Sequence, residues 1–182
     1  MRRIRSVCAV WEVSLSDAVY KVEFEHGTTT GKRVVYVNGQ EVLRRDWMFR
    51  LVGSESFPLG LTGTKAVIQI QALEGFSYEY SLLVNGLTLQ KFTQNRSRTT
   101  QTWFLVLDQV QYRMVFEKDT LDVWCNGQKM LSNSEFVEDG SQTRFVIGEH
   151  EIVLKAFTEQ QQQKGRRGIT YCLLVDGAVI CS

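Results

Sequence analysis

Residues 27–33, GTTTGKR, are the stretch of this chain that comes nearest to a phosphate-binding motif. Such a P-loop needs GxxxxGK followed by Ser or Thr, because that hydroxyl binds magnesium and the next helix points its amides at the phosphates. Here the loop is one residue short, Arg33 replaces the hydroxyl, and the apolar run VVYV follows. The sequence therefore predicts a hairpin loop without a nucleotide. The alternative role of Lys32 and Arg33 is a weak contact with an acidic partner.

The cysteines lack the spacing of a metal site or a redox pair. No two of them form a CxxC pair, and none clusters with histidine at zinc-ligand spacing. Cys125 lies among apolar strand residues, so we expect an inert core thiol, because burial raises the pKa of a thiol. Cys172 alternates away from Tyr171 and Leu173 and is expected to be partly accessible. Free thiols of this kind are typical of a reducing compartment. The four cysteines are Cys8, Cys125, Cys172 and Cys181.

The histidines and carboxylates do not form a catalytic pattern either. His26 and His150 stand at different places in the two halves of the chain, and no Asp or Ser is aligned with either to make a triad. The carboxylates are scattered over turns and outward strand positions, with no spacing that indicates a general acid and base. We therefore predict no catalytic, cofactor-binding or metal-binding residues, and no enzyme activity.

Charge and hydropathy exclude two further classes of partner. The net charge is +1, from 21 basic and 20 acidic residues, which is too balanced for a nucleic-acid groove. The basic tip KGRRG at 164–168 offers too few phosphate contacts to bind nucleic acid by itself. No apolar run approaches the roughly 18 residues of a membrane span. We expect a cytoplasmic protein that neither inserts into membranes nor binds nucleic acid, as a monomer or weak homo-oligomer.

Four turn signals predict how the chain folds. An Asn-Gly or Asp-Gly pair between two extended runs favours a β-hairpin, because a type I′ turn needs positive φ at both central residues. Four such pairs in one chain predict a β-rich protein. They are Asn38-Gly39, Asn85-Gly86, Asn126-Gly127 and Asp176-Gly177.

The chain also repeats itself. WEVSLSDAVYKVEFE at 11–25 returns as WFLVLDQVQYRMVFE at 103–117, and residues 34–60 match residues 122–148 without a gap. The matches place Trp11 over Trp103, Tyr20 over Tyr112, Phe24 over Phe116 and Phe57 over Phe145. Each half is about 90 residues long, enough for its own modest core. We predict domains at residues 1–91 and 102–182, joined by a polar linker at 92–101.

Within each half, alternation predicts about eight short strands. FSYEYSLLV at 76–84 places Phe76, Tyr78 and Tyr80 on one face, which must be the core side. No stretch is convincingly helical, although VLRRDWMFRLV at 42–52 has a partly helical spacing that its counterpart lacks. The fold class is therefore all-β: two tandem, internally duplicated antiparallel β-sandwich domains.

One outward face differs between the halves. Polar residues of the first half are replaced by apolar ones in the second, and contiguous apolar surface usually marks a contact. The face either packs on the first domain, lies under its own second sheet, or binds a partner protein. The candidate contact residues are Phe104, Val106, Val115 and Trp124, which match Glu12, Ser14, Glu23 and Tyr36.

Several motifs together resemble the Fas apoptotic inhibitory molecule family. They run in order over about residues 10–179 and are long and specific. They are FEHGTTTGKRVVYVNG, WMFRLVG, GFSYEYSLLVNG, NRSRTTQTW, EKDTLDVWCNG and EFVEDG. The chain departs from the family pattern in its opening MRRIRSVC, in the tip EQQQQKGRRG and in its ending AVICS.

The resemblance implies a cytosolic, non-enzymatic regulator built from two β-sandwich domains. Members of the family counter apoptosis triggered by death receptors and are linked to pro-survival signalling, so the implied partners are signalling proteins. They are also credited with protecting cells from aggregation, which gives misfolded client proteins as alternative partners. A small-ligand or carbohydrate-binding sandwich is a third possibility that rests on fold analogy alone.

Overall fold

Antiparallel strands make up nearly all of the regular structure. The computed structural model describes residues 5–159 and 168–180. Residues 1–4, Cys181 and the tip KGRRG up to Arg167 lie outside the described residues. The predicted all-β class is confirmed, with four antiparallel sheets that each follow the chain from one strand to the next. The chain divides into two compact units, Met1–Arg98 and Thr99–Ser182.

The first unit is a sandwich of two four-stranded sheets. Their inward side chains, including Phe24 and Val35 from one sheet and Phe57 and Ile68 from the other, form one core. The first sheet contains β1 (Val7–Ser14), β2 (Val19–His26), β3 (Arg33–Val37) and β4 (Gln40–Arg45). The second contains β5 (Gly53–Leu59), β6 (Thr64–Ala72), β7 (Tyr78–Val84) and β8 (Leu87–Thr88).

The second unit repeats this plan with one additional strand. Its core includes Phe116 and Val123 from one sheet and Phe145 and Leu154 from the other. The first sheet contains β9 (Thr100–Leu107), β10 (Val110–Glu117), β11 (Asp122–Cys125) and β12 (Gln128–Lys129). The second contains β13 (Asn133–Val137), β14 (Gly140–Ile147), β15 (His150–Glu159), β16 (Gly168–Val175) and β17 (Ala178–Ile180).

All four predicted turns are confirmed. At each, the Asn or Asp and the following Gly both have positive φ, between 46° and 85°. The asparagines also bond to the strand beside their hairpins: Arg113 N of β10 donates to Asn126 Oδ1 at 2.8 Å, and Lys21 N of β2 donates to Asn38 Oδ1 at 2.8 Å. The side chain that tolerates positive φ therefore also fixes the register of the neighbouring strand.

The segment predicted as a linker contains a helix. The helix α1 (Leu89–Thr99) covers most of residues 92–101, and β9 begins at Thr100. The expectation that the chain has no convincing helix is wrong. Polar residues fill the helix, and Phe92 is its only buried residue among those described. Phe92 joins the first core, and Arg96 Nη2 donates to Ser16 Oγ at 2.7 Å, so tertiary contacts hold a helix that hydrophobic periodicity does not indicate.

The predicted hairpin loop at 27–33 is confirmed, since β2 and β3 pair on either side of it. The weak-contact role of its two cations is wrong for Arg33, which is only 2% exposed and ion-paired with Glu55 at 2.9 Å. Lys32 also has an internal partner, since its Nζ lies 2.9 Å from Glu25 Oε2.

Two details of the strand pattern also differ from expectation. Phe76 is exposed rather than in the core, because it has φ of 60° in the turn before β7 begins at Tyr78. The partly helical spacing at 42–52 gives no helix, since β4 runs to Arg45 and irregular backbone follows it.

Candidate protein-contact face

Strands β9, β10 and β11 bring all four candidate contact residues to one face of a sheet. In the register, Val115 lies opposite Thr102 on one side and Trp124 on the other. Phe104 lies opposite Arg113, two positions further along the same face. The alternate residues, such as Trp103 and Met114, point into the core. The face follows directly from strand alternation, because inward and outward side chains have a period of two.

The four residues differ widely in exposure. Phe104 is 79% exposed and Val106 is 66% exposed, so they present most of their surface. Val115 is only 1% exposed and is therefore not accessible to a partner, and Trp124 is half-buried. The Nε1 atom of Trp124 is buried and has no hydrogen-bond partner among the described residues. The accessible part of the face is therefore the end formed by Phe104 and Val106.

Polar residues that sequence reasoning missed surround this end. A cavity of about 420 Å³ is lined by Phe104 and Val106 together with Gln111, Arg113 and Asn126. Asn126 Nδ2 donates to the Gln111 carbonyl at 3.0 Å, which fixes the turn at the edge of the cavity. The sequence feature that could have indicated Arg113 is its match to Lys21 in the repeat, because both halves have a cation at this position.

The matching face of the first unit is polar and internally paired. Glu12 and Ser14 are exposed where the second unit has Phe104 and Val106. Glu23 pairs with Lys21 at 3.0 Å, and the Arg5 guanidinium lies 4.1 Å from the centre of the Tyr36 ring. At the positions of Phe104 and Val106 the second unit therefore has exposed apolar side chains, where the first unit has exposed polar ones.

The second unit also contains a histidine–carboxylate cluster that the sequence did not reveal. His150 Nδ1 lies 2.6 Å from Asp176 Oδ2, and its Nε2 lies 3.1 Å from Asp108 Oδ2. The hydrogen bond to Asp176, and then that to Asp108, raises the pKa of His150. Both ring nitrogens already have carboxylate partners, so neither is free to take a proton from a nucleophile. The cluster stabilises the contact between the two sheets of the unit, since Asp108 follows β9 and Asp176 follows β16.

Cys125 and Cys172 have the environments that the sequence predicts for them. Cys125 is buried in the second core, and burial raises the pKa of its thiol. Cys172 is half-buried. No group of three or more His, Cys, Asp or Glu residues within the described chain has the geometry to hold a metal ion. Among the described residues, no helix has the length and apolarity needed to span a membrane.

Comparison with known proteins settles the family. The family model described as Fas apoptotic inhibitory molecule (FAIM1) matches residues 7–182. The chain belongs to the Fas apoptotic inhibitory molecule family. Bovine Fas apoptotic inhibitory molecule 1 is 54% identical to it over 180 residues, which cover 99% of this chain and 88% of the bovine protein. The mouse and human proteins of the same name are 55% and 52% identical over 172 residues, 94% of each chain.

The resemblance inferred from the sequence motifs is thus confirmed. The matched relatives are named for inhibition of apoptosis and not for an enzymatic reaction.

Proposed function

We propose that this protein inhibits apoptosis triggered by Fas-type death receptors, as a cytoplasmic, non-enzymatic regulator that binds signalling proteins and supports survival. The names of relatives at 52–55% identity support the anti-apoptotic role. In the described part of the chain, no metal-ligand cluster is found, and both ring nitrogens of His150 have carboxylate partners.

The exposed end of the contact face carries the binding part of the proposal. An aromatic and an aliphatic side chain beside an arginine and two amides match the composition of protein interfaces, where apolar anchors are surrounded by polar groups. Phe104 is the best anchor, because aromatic residues bury large area at low cost in conformational entropy. We therefore expect Phe104 to enter a pocket of the partner, with Val106 and Arg113 at its edges.

Complementation in cells depleted of the endogenous protein tests this function. Wild-type chain, Phe104→Glu and Val146→Glu are compared for caspase activation after stimulation of Fas. Val146 is the matched control, because it is an exposed valine on β14 of the same unit and lies on the other sheet. We expect Phe104→Glu to lose most of the protection and Val146→Glu to keep it.

Circular dichroism and thermal unfolding of the purified variants separate binding from folding. The proposal requires that Phe104→Glu unfolds within a few degrees of the wild type. Full protection by a folded Phe104→Glu variant would exclude this face as the contact, and absence of protection by the wild type would exclude the function.

A second candidate function, protection of misfolded proteins, is favoured by the edge of the other sheet in the second unit. Strand β13 ends that sheet, all five of its residues are exposed, and no described strand pairs with its outer edge. Beside it lies a groove of about 280 Å³ lined by Phe136, Ile169 and Tyr171. An exposed edge next to an apolar groove suits an extended client segment, which adds as a strand and buries alternate side chains.

Light scattering of a heat-denatured client protein tests this second function. Phe136→Glu should abolish suppression of aggregation, since the glutamate places a charge in the groove. Val179→Glu is the matched control at the opposite edge strand, β17. Equal suppression by both variants would reject the β13 edge as the client site.

A further inference from the structure

Three loops meet at one end of the first unit. The register places Arg33 opposite Arg45 where β3 begins and β4 ends, and Gly53 opposite Ile70 near the adjoining end of the second sheet. Met48 N donates to the Thr30 carbonyl at 3.1 Å, which joins the loop 46–52 to the loop 27–32. The turn 73–77 connects β6 to β7 at this same end.

A basic cavity opens between these loops. Its volume is about 520 Å³, and its lining includes Arg33, Arg45, Arg50, Met48 and Glu55. A Cβ placed on Gly53 would lie 3.7 Å from the guanidinium of Arg33 and 3.8 Å from Cδ of Arg50, so both arginines converge on this glycine. Three cations against one carboxylate leave an excess of positive charge in a concave site.

The arginines of the cavity have N–H groups that are not used in hydrogen bonds to the described residues. Arg33 Nη1 donates to Glu55 and Nη2 donates to the carbonyls of Arg50 and Val52, but its buried Nε has no hydrogen-bond partner among the described residues. The side chain of Arg50 has neither an ion pair nor a hydrogen bond within the described chain. Arg45 is more than half exposed, and its Nε lies 4.0 Å from Glu55.

The apolar residues that line the cavity are Met48 and Val52. Met48 lines it, and its neighbours in the loop, Trp47 and Phe49, are exposed. A thioether makes favourable contacts with an aromatic ring. A ligand suited to this site therefore has a multiply charged anionic end, for the arginines, and an aromatic body, for Met48.

We propose that this cavity binds the phosphate group of a phosphotyrosine side chain in an extended segment of a partner protein. Arginine clusters are the usual donors to phosphorylated peptides, because the planar guanidinium bonds two phosphate oxygens at once. Arg50 and Arg45 grip the phosphate from the two sides, and Arg33 holds the base of the site through Glu55 and the two loop carbonyls. Met48 packs on the phenyl ring.

Two other sources of phosphate fit less well. A nucleic acid gains affinity from many phosphate contacts along a basic stripe, whereas this chain has a net charge of +1 and the cavity has only three arginines in its lining. A membrane surface is flat, whereas these arginines line a concave site. The phosphopeptide is therefore the occupant that the charge and the shape favour together.

Titration of the full-length chain with phenyl phosphate tests the site, followed by backbone amide resonances of Met48, Arg50 and Gly53 and by Trp47 fluorescence. Arg50→Gln should weaken binding about tenfold, which is the size expected for loss of one charge-assisted hydrogen bond. Arg44→Gln should leave binding within about twofold. Arg44 is the matched control, because it precedes Arg45 on β4, faces the other side and is bonded to Glu41 and Asp46.

A second set of ligands identifies the source of the phosphate. A phosphotyrosine peptide should bind at the same resonances, and the same peptide with tyrosine should not. Inorganic phosphate should bind more weakly than phenyl phosphate, since it lacks the ring. Binding of inorganic phosphate as tightly as phenyl phosphate, tighter binding of single-stranded RNA or of anionic lipid vesicles at these residues, or no loss with Arg50→Gln would each overturn the proposal.

Discussion

Equivalent ends of the two sandwiches differ in charge and polarity. In the first unit a buried ion pair, Arg33–Glu55, underlies a basic cavity. The repeat places Leu121 and Thr143 at those two positions of the second unit, where an apolar groove lies instead. Met48 of the cavity corresponds to Phe136 of the groove, so the two sites occupy equivalent places in the fold.

The segment over this end shows why the sites diverge. Residues 46–52 of the first unit form an irregular loop, which Arg33 holds through the carbonyls of Arg50 and Val52. The corresponding residues of the second unit include β13, which pairs with β14 and is fixed by the Ser134–Thr143 hydrogen bond at 2.9 Å. In the first unit, Arg33 donates hydrogen bonds to backbone carbonyls of the loop. In the second unit, pairing with β14 provides such bonds for the backbone of β13. One fold thus presents a charged loop site and a strand edge at the same position.

The ion pair gives the largest expected effect. Arg33→Leu should destabilise the first unit by about 3–5 kcal/mol, because it leaves the buried Glu55 charge without its partner. The double variant Arg33→Leu/Glu55→Thr, which installs the residues of the second unit, should recover part of that loss. Urea unfolding of the three proteins measures both changes. The control is Arg45→Leu, whose exposed side chain lies 4.0 Å from Glu55. A single variant as stable as the wild type would show that the ion pair does not hold the loop.

The contact between the loops gives a smaller effect. A Cβ at Gly31 would approach the Met48 carbonyl oxygen to 2.1 Å, which no relaxation of a side chain can relieve. Gly39 also has positive φ, but nothing lies within 4 Å of its added Cβ. Gly31→Ala should therefore cost about 1–3 kcal/mol more than Gly39→Ala, since only the first adds overpacking to the backbone strain. Thermal unfolding measures the difference, and equal losses would mean that the two loops are not in firm contact.

The two histidines predict opposite pH dependence for the two units. Burial, and then the nearby charge of Arg33, lowers the pKa of His26, so the first unit loses stability as pH falls through about 6.5, the unfolded value. Hydrogen bonds to Asp176 and Asp108 raise the pKa of His150. Its contribution is therefore fully present below about pH 6.5 and is lost as pH rises through the folded pKa.

Urea unfolding of the intact chain at pH 5.5, 6.5 and 8, with resonances assigned to each unit, checks this difference in sign. His150→Gln should flatten the dependence of the second unit and leave that of the first unchanged. Parallel pH dependence of both units in the wild type would contradict the assignment.

Turns and strand faces were predictable because local chemistry determines them. Asn126-Gly127 tolerates positive φ wherever it occurs, and alternation places Phe104 and Trp103 on opposite faces without knowledge of the partner strand. The outward face of β9, β10 and β11 could therefore be located from the sequence, but its accessibility could not. Val115 alternates with core residues as Val106 does, but its side chain is buried, because burial depends on neighbours distant in the chain.

The sequence by itself determined the duplication, the all-β class and the places of the hairpin turns, since each follows from local patterns of residues. Only the tertiary structure decided that Arg33 is buried, that His150 lies between two aspartates and that Phe92 stabilises a helix in a polar segment. Each of these results from contact between residues far apart in sequence. A charged or polar side chain gives no local sign of whether such a partner will satisfy it.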